Sequence, residues 1–223
     1  FELGMKLFKL RKKLGPKTYS VNKSLIKAKN LFKNNKKPVL IADIWDNPGG
    51  GVAGDSTVLI KKAISMKLKN IALGSIWDPE AVRLCHKAGE KAVINLSFGG
   101  KISPNERPIK KNVLVKKIVK NSFQKFGESL VPMGDCACIY FDDIEIVLNS
   151  NRSQAFSTDL FSRLGIILSN KNILIVKSTN HFYKSFHPHI SLYYGQRNNI
   201  IKKEVISNLP KLKKKIKIRS LCL

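Results

Sequence analysis

Apolar positions along this chain change period several times, and the changes mark out its elements. Leu3, Leu7, Leu10 and Leu14, with Phe8 beside them, recur at helical spacing and predict a helix over residues 1–14. Gly15-Pro16 ends it. Ser20 or Asn22 opens a second helix, with Leu25, Ile26, Leu31 and Phe32 expected on one face, and the polar stretch 34–38 closes it. The run Val39-Leu40-Ile41-Ala42 then reads as a buried strand, and residues 58–64 as a helix. A second strand is predicted over 70–74, followed by a loop over 75–79. Asp78 is the expected cap and Pro79 the first residue of a helix over 80–90. A third strand, 92–97, completes a βαβαβ order, which implies a parallel or mixed sheet with right-handed crossovers.

Beyond residue 110 the pattern alternates. Val113, Val115 and Ile118 define a strand over 112–119, and residues 135–141 and 144–149 flank the turn Asp142-Asp143 as a hairpin. A polar loop, 151–157, precedes a short helix capped by Ser157 or Thr158 and closed at Gly165. Residues 173–177 form a further core strand, and a short helix runs to Phe186. The expected fold class is α/β: a mixed sheet built from βαβαβ units plus an antiparallel hairpin, with helices packed on the sheet. Residues 1–37 read as a helical segment, 38–190 as the main domain, and 191–223 as an irregular basic tail.

Charge changes this picture less than its size suggests. The formal net charge is +26, yet only seven of the 41 basic residues are Arg. Arg is the residue suited to bidentate phosphate and base contacts, and the abundant Lys comes with many Asn and Ile, as a low-GC genome produces. Nucleic acid is therefore not the expected partner. No apolar run approaches the roughly 20 residues of a membrane span, so no membrane partner is expected. Cys85, Cys136, Cys138 and Cys222 give no zinc-finger or disulfide spacing. They are read as buried free thiols of a cytoplasmic protein, with those of Cys136 and Cys138 on opposite faces of a strand. The first residue is Phe1, already inside a helical pattern, which leads us to expect a piece of a longer protein.

The most demanding stretch lies between the first strand and its helix. Gly49, Gly50, Gly51 and Gly54 fall within six residues, and each has an ordering cost of roughly 0.5–1 kcal/mol relative to Ala. Such a loop suggests a site. One reading is a cradle in which free amides at a helix N-terminus hold a phosphate or another anion. The loop is neither a Walker A sequence nor GxGxxG, and the nearby Asp43, Asp46 and Asp55 would repel a polyphosphate. Those carboxylates suit a hard cation, but no His or Cys near them suggests zinc. Elsewhere, Arg152 and Gln154 follow a strand and suit a carboxylate or a peptide group. His181 follows another strand, where α/β folds present ligands. None of these is assigned a catalytic or metal-binding role.

Taken together, these segments carry a resemblance. The chain resembles the C-terminal half of the microcystinase C (MlrC) family in the run Ala42-Asp43 through Asp46-Asn47-Pro48-Gly49-Gly50-Gly51 and in Gly54-Asp55-Ser56-Thr57. Further matches are Ile76-Trp77-Asp78-Pro79-Glu80-Ala81-Val82, Gly99-Gly100-Lys101, Arg152-Ser153-Gln154-Ala155-Phe156, Val176-Lys177-Ser178 and His181-Phe182. The resemblance implies a zinc-dependent peptidase that in the namesake degrades a linearised microcystin peptide. It also implies that the zinc ligands and catalytic acid belong to an N-terminal half, missing here or carried by a separate chain. This segment would then bind no zinc alone and be inactive alone. By the same resemblance, Asp46, Asn47, Gly49, Gly50, Gly51, Gly54, Asp55, Arg152, Gln154 and His181 would lie nearest the peptide substrate. The alternative is a non-catalytic anion-binding module that uses the glycine loop.

Overall fold

The computed structural model describes residues 1–14, 18–33, 37–102 and 106–194. Contacts divide the chain into two units, residues 1–18 with 195–223, and Tyr19–Tyr194. The described part of the first unit is the helix α1, Glu2–Leu14. All else below concerns the second unit.

Its elements in order are α2 (Val21–Lys33), β1 (Val39–Ala42), α3 (Val58–Ser65), β2 (Ile71–Trp77), α4 (Pro79–Ala88), β3 (Val93–Phe98), β4 (Ile109–Phe126), β5 (Ser129–Phe141), β6 (Ile144–Asn149), α5 (Asp159–Ser162), β7 (Ile173–Val176), α6 (Tyr183–Phe186) and β8 (Leu192–Tyr194). The strands form one mixed sheet in the order β3-β4-β5-β6-β2-β7-β1-β8. The pairs β6–β2, β2–β7, β7–β1 and β1–β8 are parallel. The pairs β3–β4, β4–β5 and β5–β6 are antiparallel.

The two-residue period of a strand sorts side chains onto two buried faces. Val39 and Ile41 of β1, Ile71 and Leu73 of β2, and Ile173 and Ile175 of β7 join one core with Leu25 and Ala28 of α2, Leu59, Ile60 and Ala63 of α3, and Ala81, Val82 and Cys85 of α4. Leu40, Ala72, Leu174 and Val176 point the other way, toward Leu160 and Phe161 of α5 and Phe182 and Phe186. Gly74 permits that second layer to close, because a Cβ there would lie 2.8 Å from a Leu160 methyl and 2.9 Å from the Phe161 ring.

The α/β class and the mixed sheet agree with the sequence reading, and several details differ. The third strand does not join the parallel set. It pairs antiparallel with β4 at the far edge, since a βα pattern fixes the order of elements and not which neighbour a strand finds. On α2, Ile26 is 42% exposed and Ala28 takes the core place beside Leu25, as i, i+3 spacing demands. Strand β2 continues through Ser75–Trp77, which the sequence reading gave to a loop. Strands β4 and β5 extend far past the predicted segments. The expected irregular tail gives way over Leu192–Tyr194, which pairs with β1; residues 195–223 lie outside the described residues.

Cys136 and Cys138 share one core rather than opposite faces, because residues two apart on a strand point the same way. Burial pushes the thiols of Cys85, Cys136 and Cys138 up to about 12, so they are packing groups and not nucleophiles. Cys222 lies outside the described residues. Among the described residues, no helix is long and apolar enough to cross a membrane.

Candidate functional site

Because β6, β2, β7 and β1 are mutually parallel, their C-terminal ends meet at one edge of the sheet. That edge is where open α/β sheets place ligands. Four segments leave it: 43–57 after β1, 78 onward after β2, 150–157 after β6 and 177–182 after β7. They carry nearly every residue singled out above.

The glycine loop is fastened from within. Asp46 accepts hydrogen bonds from Gly54 N at 2.9 Å and Ser56 N at 2.7 Å. Asn47, buried, accepts from Gly49 N at 3.0 Å and donates to Thr179 Oγ1 at 2.9 Å. Pro48–Gly50 forms a single 3-10 turn, with Gly50 N on the Asn47 carbonyl and Gly51 N on that of Pro48. Gly51 and Gly54 adopt φ of +94° and +77°, and a Cβ on Gly54 would meet the Pro48 ring at 2.5 Å. These two positions need glycine for their backbone.

A buried cation, absent from the sequence-based site list, closes the loop. Lys177 is 1% exposed. Its ammonium lies 2.7 Å from Asp46 and 3.3 Å from Asp43, and donates to the Ser56 carbonyl at 3.1 Å. All three ammonium protons therefore have acceptors. The place between Asp43 and Asp46 that a hard metal would need is filled by this lysine. Among the described residues, no three His, Cys, Asp or Glu side chains gather as a metal-holding group. The donor set on this edge does not fit zinc.

Asp55 is 2% exposed and faces inward. It accepts from Lys101 N at 2.7 Å and Ile102 N at 2.9 Å, and its carbonyl accepts from Gly100 N at 2.7 Å. Asp78, also buried, caps α4 through Ala81 N at 3.0 Å, takes Gly99 N at 2.9 Å and pairs with Lys101 at 2.8 Å. The expected cap role of Asp78 is thus present. Of Asp55 and Ser56, the two cap candidates for α3, Ser56 Oγ accepts from Val58 N at 3.4 Å, whereas Asp55 does not cap the helix. Thr57 N, just before α3, goes to Glu106 at 2.8 Å. Nothing local in the sequence pointed to Glu106.

Arg152 and Gln154 come to the same edge by the loop after β6. The Arg152 guanidinium sits 5.9 Å from the centre of the Trp77 ring. Gln154 lies over Gly49, where a Cβ would meet its carboxamide at 2.5–2.8 Å, and accepts from Ser178 Oγ at 3.5 Å. The glycine loop, the loop after β6 and the end of β7 therefore converge on Gln154. His181 is exposed, and its ring contacts are Phe126 and Phe156, at 5.2 and 5.7 Å. Gly50 and Gly51 face open space.

This contact yields a separable effect. Gly49→Ala displaces the far end of a flexible side chain, so stability should change by less than about 1 kcal/mol. The Gln154 carboxamide should leave Ser178. Thermal unfolding read beside the Gln154 side-chain amide signals in an NMR spectrum checks both; an unmoved amide would contradict the packing described.

Comparison with known proteins bears on family and fold. The chain is 33% identical over 150 residues to microcystinase C of Sphingomonas sp., a match covering 67% of this chain and 30% of that protein. The chain thus spans about 30% of the length of the curated relative it matches. Its fold is similar to the crystal structure of a Mesorhizobium sp. BNC1 protein provisionally described as a metallopeptidase, with a TM-score of 0.76 and 21% identity over 86% of this chain and 39% of that one. The sequence profile described as MlrC C-terminus matches residues 41–193, from the end of β1 to the start of β8, and the chain belongs to that family.

Proposed function

We propose that this chain acts as the C-terminal part of a zinc-dependent peptidase of the microcystinase C type, working in the cytoplasm. Its part is to supply residues on the substrate side or against a catalytic N-terminal domain. The metal ligands come from outside the residues described here. The observation that carries this reading is the packing of Gln154 on Gly49 at the strand ends. Two sequence blocks of the family, more than 100 residues apart, meet there, beside a cation site already satisfied by Lys177. Asp46, Asn47 and Gly54 shape the loop, Asp55 ties it to the turn at Lys101, and Arg152 and Gln154 face a peptide. His181 belongs to the wall beside them.

The anion-cradle alternative has less support. The amides of Gly49, Gly50, Gly51, Gly54, Ser56 and Thr57 already have acceptors within the chain. A cradle needs such donors free.

The test is turnover. With zinc and a short peptide, the isolated chain is expected to hydrolyse nothing, and activity should appear once a family N-terminal domain is supplied. Chelator-sensitive hydrolysis by the isolated chain would overturn the division of labour proposed here.

A further inference from the structure

Residues 152–157 form a strip whose sides alternate. Ser153, Ala155 and Ser157 are buried, Arg152 is exposed, and Gln154 and Phe156 are half-buried. Alternation of this kind places successive outward side chains about 6.6 Å apart. The strip is held from both sides. Ala155 N donates to the Lys177 carbonyl at 3.0 Å. Opposite, Gln124 of β4 is fully buried and uses its whole carboxamide. Its Nε2 donates to Ser153 Oγ at 3.1 Å and to the Gln154 carbonyl at 2.7 Å. Its Oε1 accepts from Phe156 N at 2.8 Å and Ser157 N at 3.3 Å. The outer arm of the β4–β5 hairpin thus fixes the backbone on which Gln154 and Phe156 stand.

The same arm carries Phe126 at its tip, two residues beyond Gln124 and so on the same side of the strand. The Phe126 ring lies 4.5 Å from that of Phe156 and 5.2 Å from that of His181. Phe156 and His181 stack at 5.7 Å with 29° between planes. Phe126 remains 45% exposed. Three rings held at the surface of a braced arm, in line with Arg152 and Gln154, form an apolar wall that continues the candidate site.

We propose that the tip of the β4–β5 hairpin is a subsite for a large apolar side chain of a peptide ligand. The side chain packs against the rings of Phe126, Phe156 and His181. Gln154, one step back along the strip, has both a donor and an acceptor for the ligand's peptide group. Gln124 is the positioning residue that aligns the two. The inference rests on reading this sheet edge as substrate-facing.

N-acetylphenylalanine amide and N-acetylalanine amide, titrated onto the chain, test it. The readouts are the His181 imidazole and Phe156 amide signals by NMR. The phenylalanine amide should shift both saturably and bind at least about tenfold tighter than the alanine amide. Phe126→Ala should remove most of that preference, and Phe126→Leu should keep most of it. Equal binding of the two amides, or a preference that survives Phe126→Ala, would overturn the proposal. The measurement needs neither zinc nor turnover. Discriminating binding by a chain that supports no hydrolysis even when a family N-terminal domain is supplied leaves the subsite standing without the peptidase. Hydrolysis without discrimination removes the subsite and leaves the peptidase.

Discussion

Lys177→Met is expected to destabilise the fold by about 3–5 kcal/mol, the range found when one member of a buried ion pair is removed. The ammonium is the charge that lets Asp43 and Asp46 coexist at the end of β1. Methionine matches its length and apolar stem, so little of the loss reflects packing. What remains is two carboxylates facing each other without a cation. Their side chains are 13% and 14% exposed, so some water reaches them. Asp46 also keeps its bonds from Gly54 N and Ser56 N. Both facts place the effect at the lower end of the range. A drop in the urea midpoint at constant slope is the signature. Adding Asp43→Asn should recover part of the loss, since it removes one of the stranded charges and its amide oxygen can still accept from Asp46 N. A loss under about 1 kcal/mol would mean that solvent neutralises the pair, and Lys177 would then not be the keystone of the loop.

The reason Lys177 was not singled out from the sequence shows where such a reading stops. The run Ile173–Lys177 announced a core strand, and nothing within it told what the ammonium at its end would meet. Its burial depends on carboxylates 131 and 134 positions away. No local pattern brings those residues together. Only the parallel placement of β1 beside β7 does. Gln124 escaped attention for the same reason. It falls past the predicted end of β4, among polar residues, and its partners are 29–33 positions downstream. By contrast, the strand β1, the capped start of α4 and the hairpin β5–β6 were legible, because strand period, Asp-Pro capping and a tight turn are local chemistry. So was the glycine loop, since positive φ at Gly51 and Gly54 leaves its mark on composition. The edge placement of β3 was not, since strand order is a matter of long-range pairing.

The loop also illustrates how a site-like pattern can be architecture. Three aspartates beside four glycines look like a ligand trap in one dimension. In three dimensions each carboxylate is turned onto the chain's own donors: Asp43 and Asp46 onto Lys177, Asp55 onto the turn after β3. Among the groups that face outward are Arg152, Gln154 and the three rings, which are cationic, neutral and apolar in turn. The acids build the edge, and the other residues present it.

Asp55→Ala separates these roles. If Asp55 served a ligand, removing its charge would leave stability unchanged or raise it, as loss of a strained functional group often does. The structure predicts a loss of about 2–3 kcal/mol instead. Two hydrogen bonds from main-chain amides to a charged acceptor disappear, each worth about 1.5–3 kcal/mol before compensation. Lys101 and Ile102 are exposed, so water partly replaces the acceptor and trims the sum. Asp55→Asn keeps the shape and a neutral oxygen, and should cost about 1 kcal/mol. Hydrogen exchange at the Lys101 and Ile102 amides should quicken in both variants, more in Ala than in Asn, while the β1, β2 and β7 amides keep their protection. An Ala variant as stable as the parent would return Asp55 to the list of ligand-facing residues and detach the Gly99-Gly100-Lys101 turn from the architecture of the site.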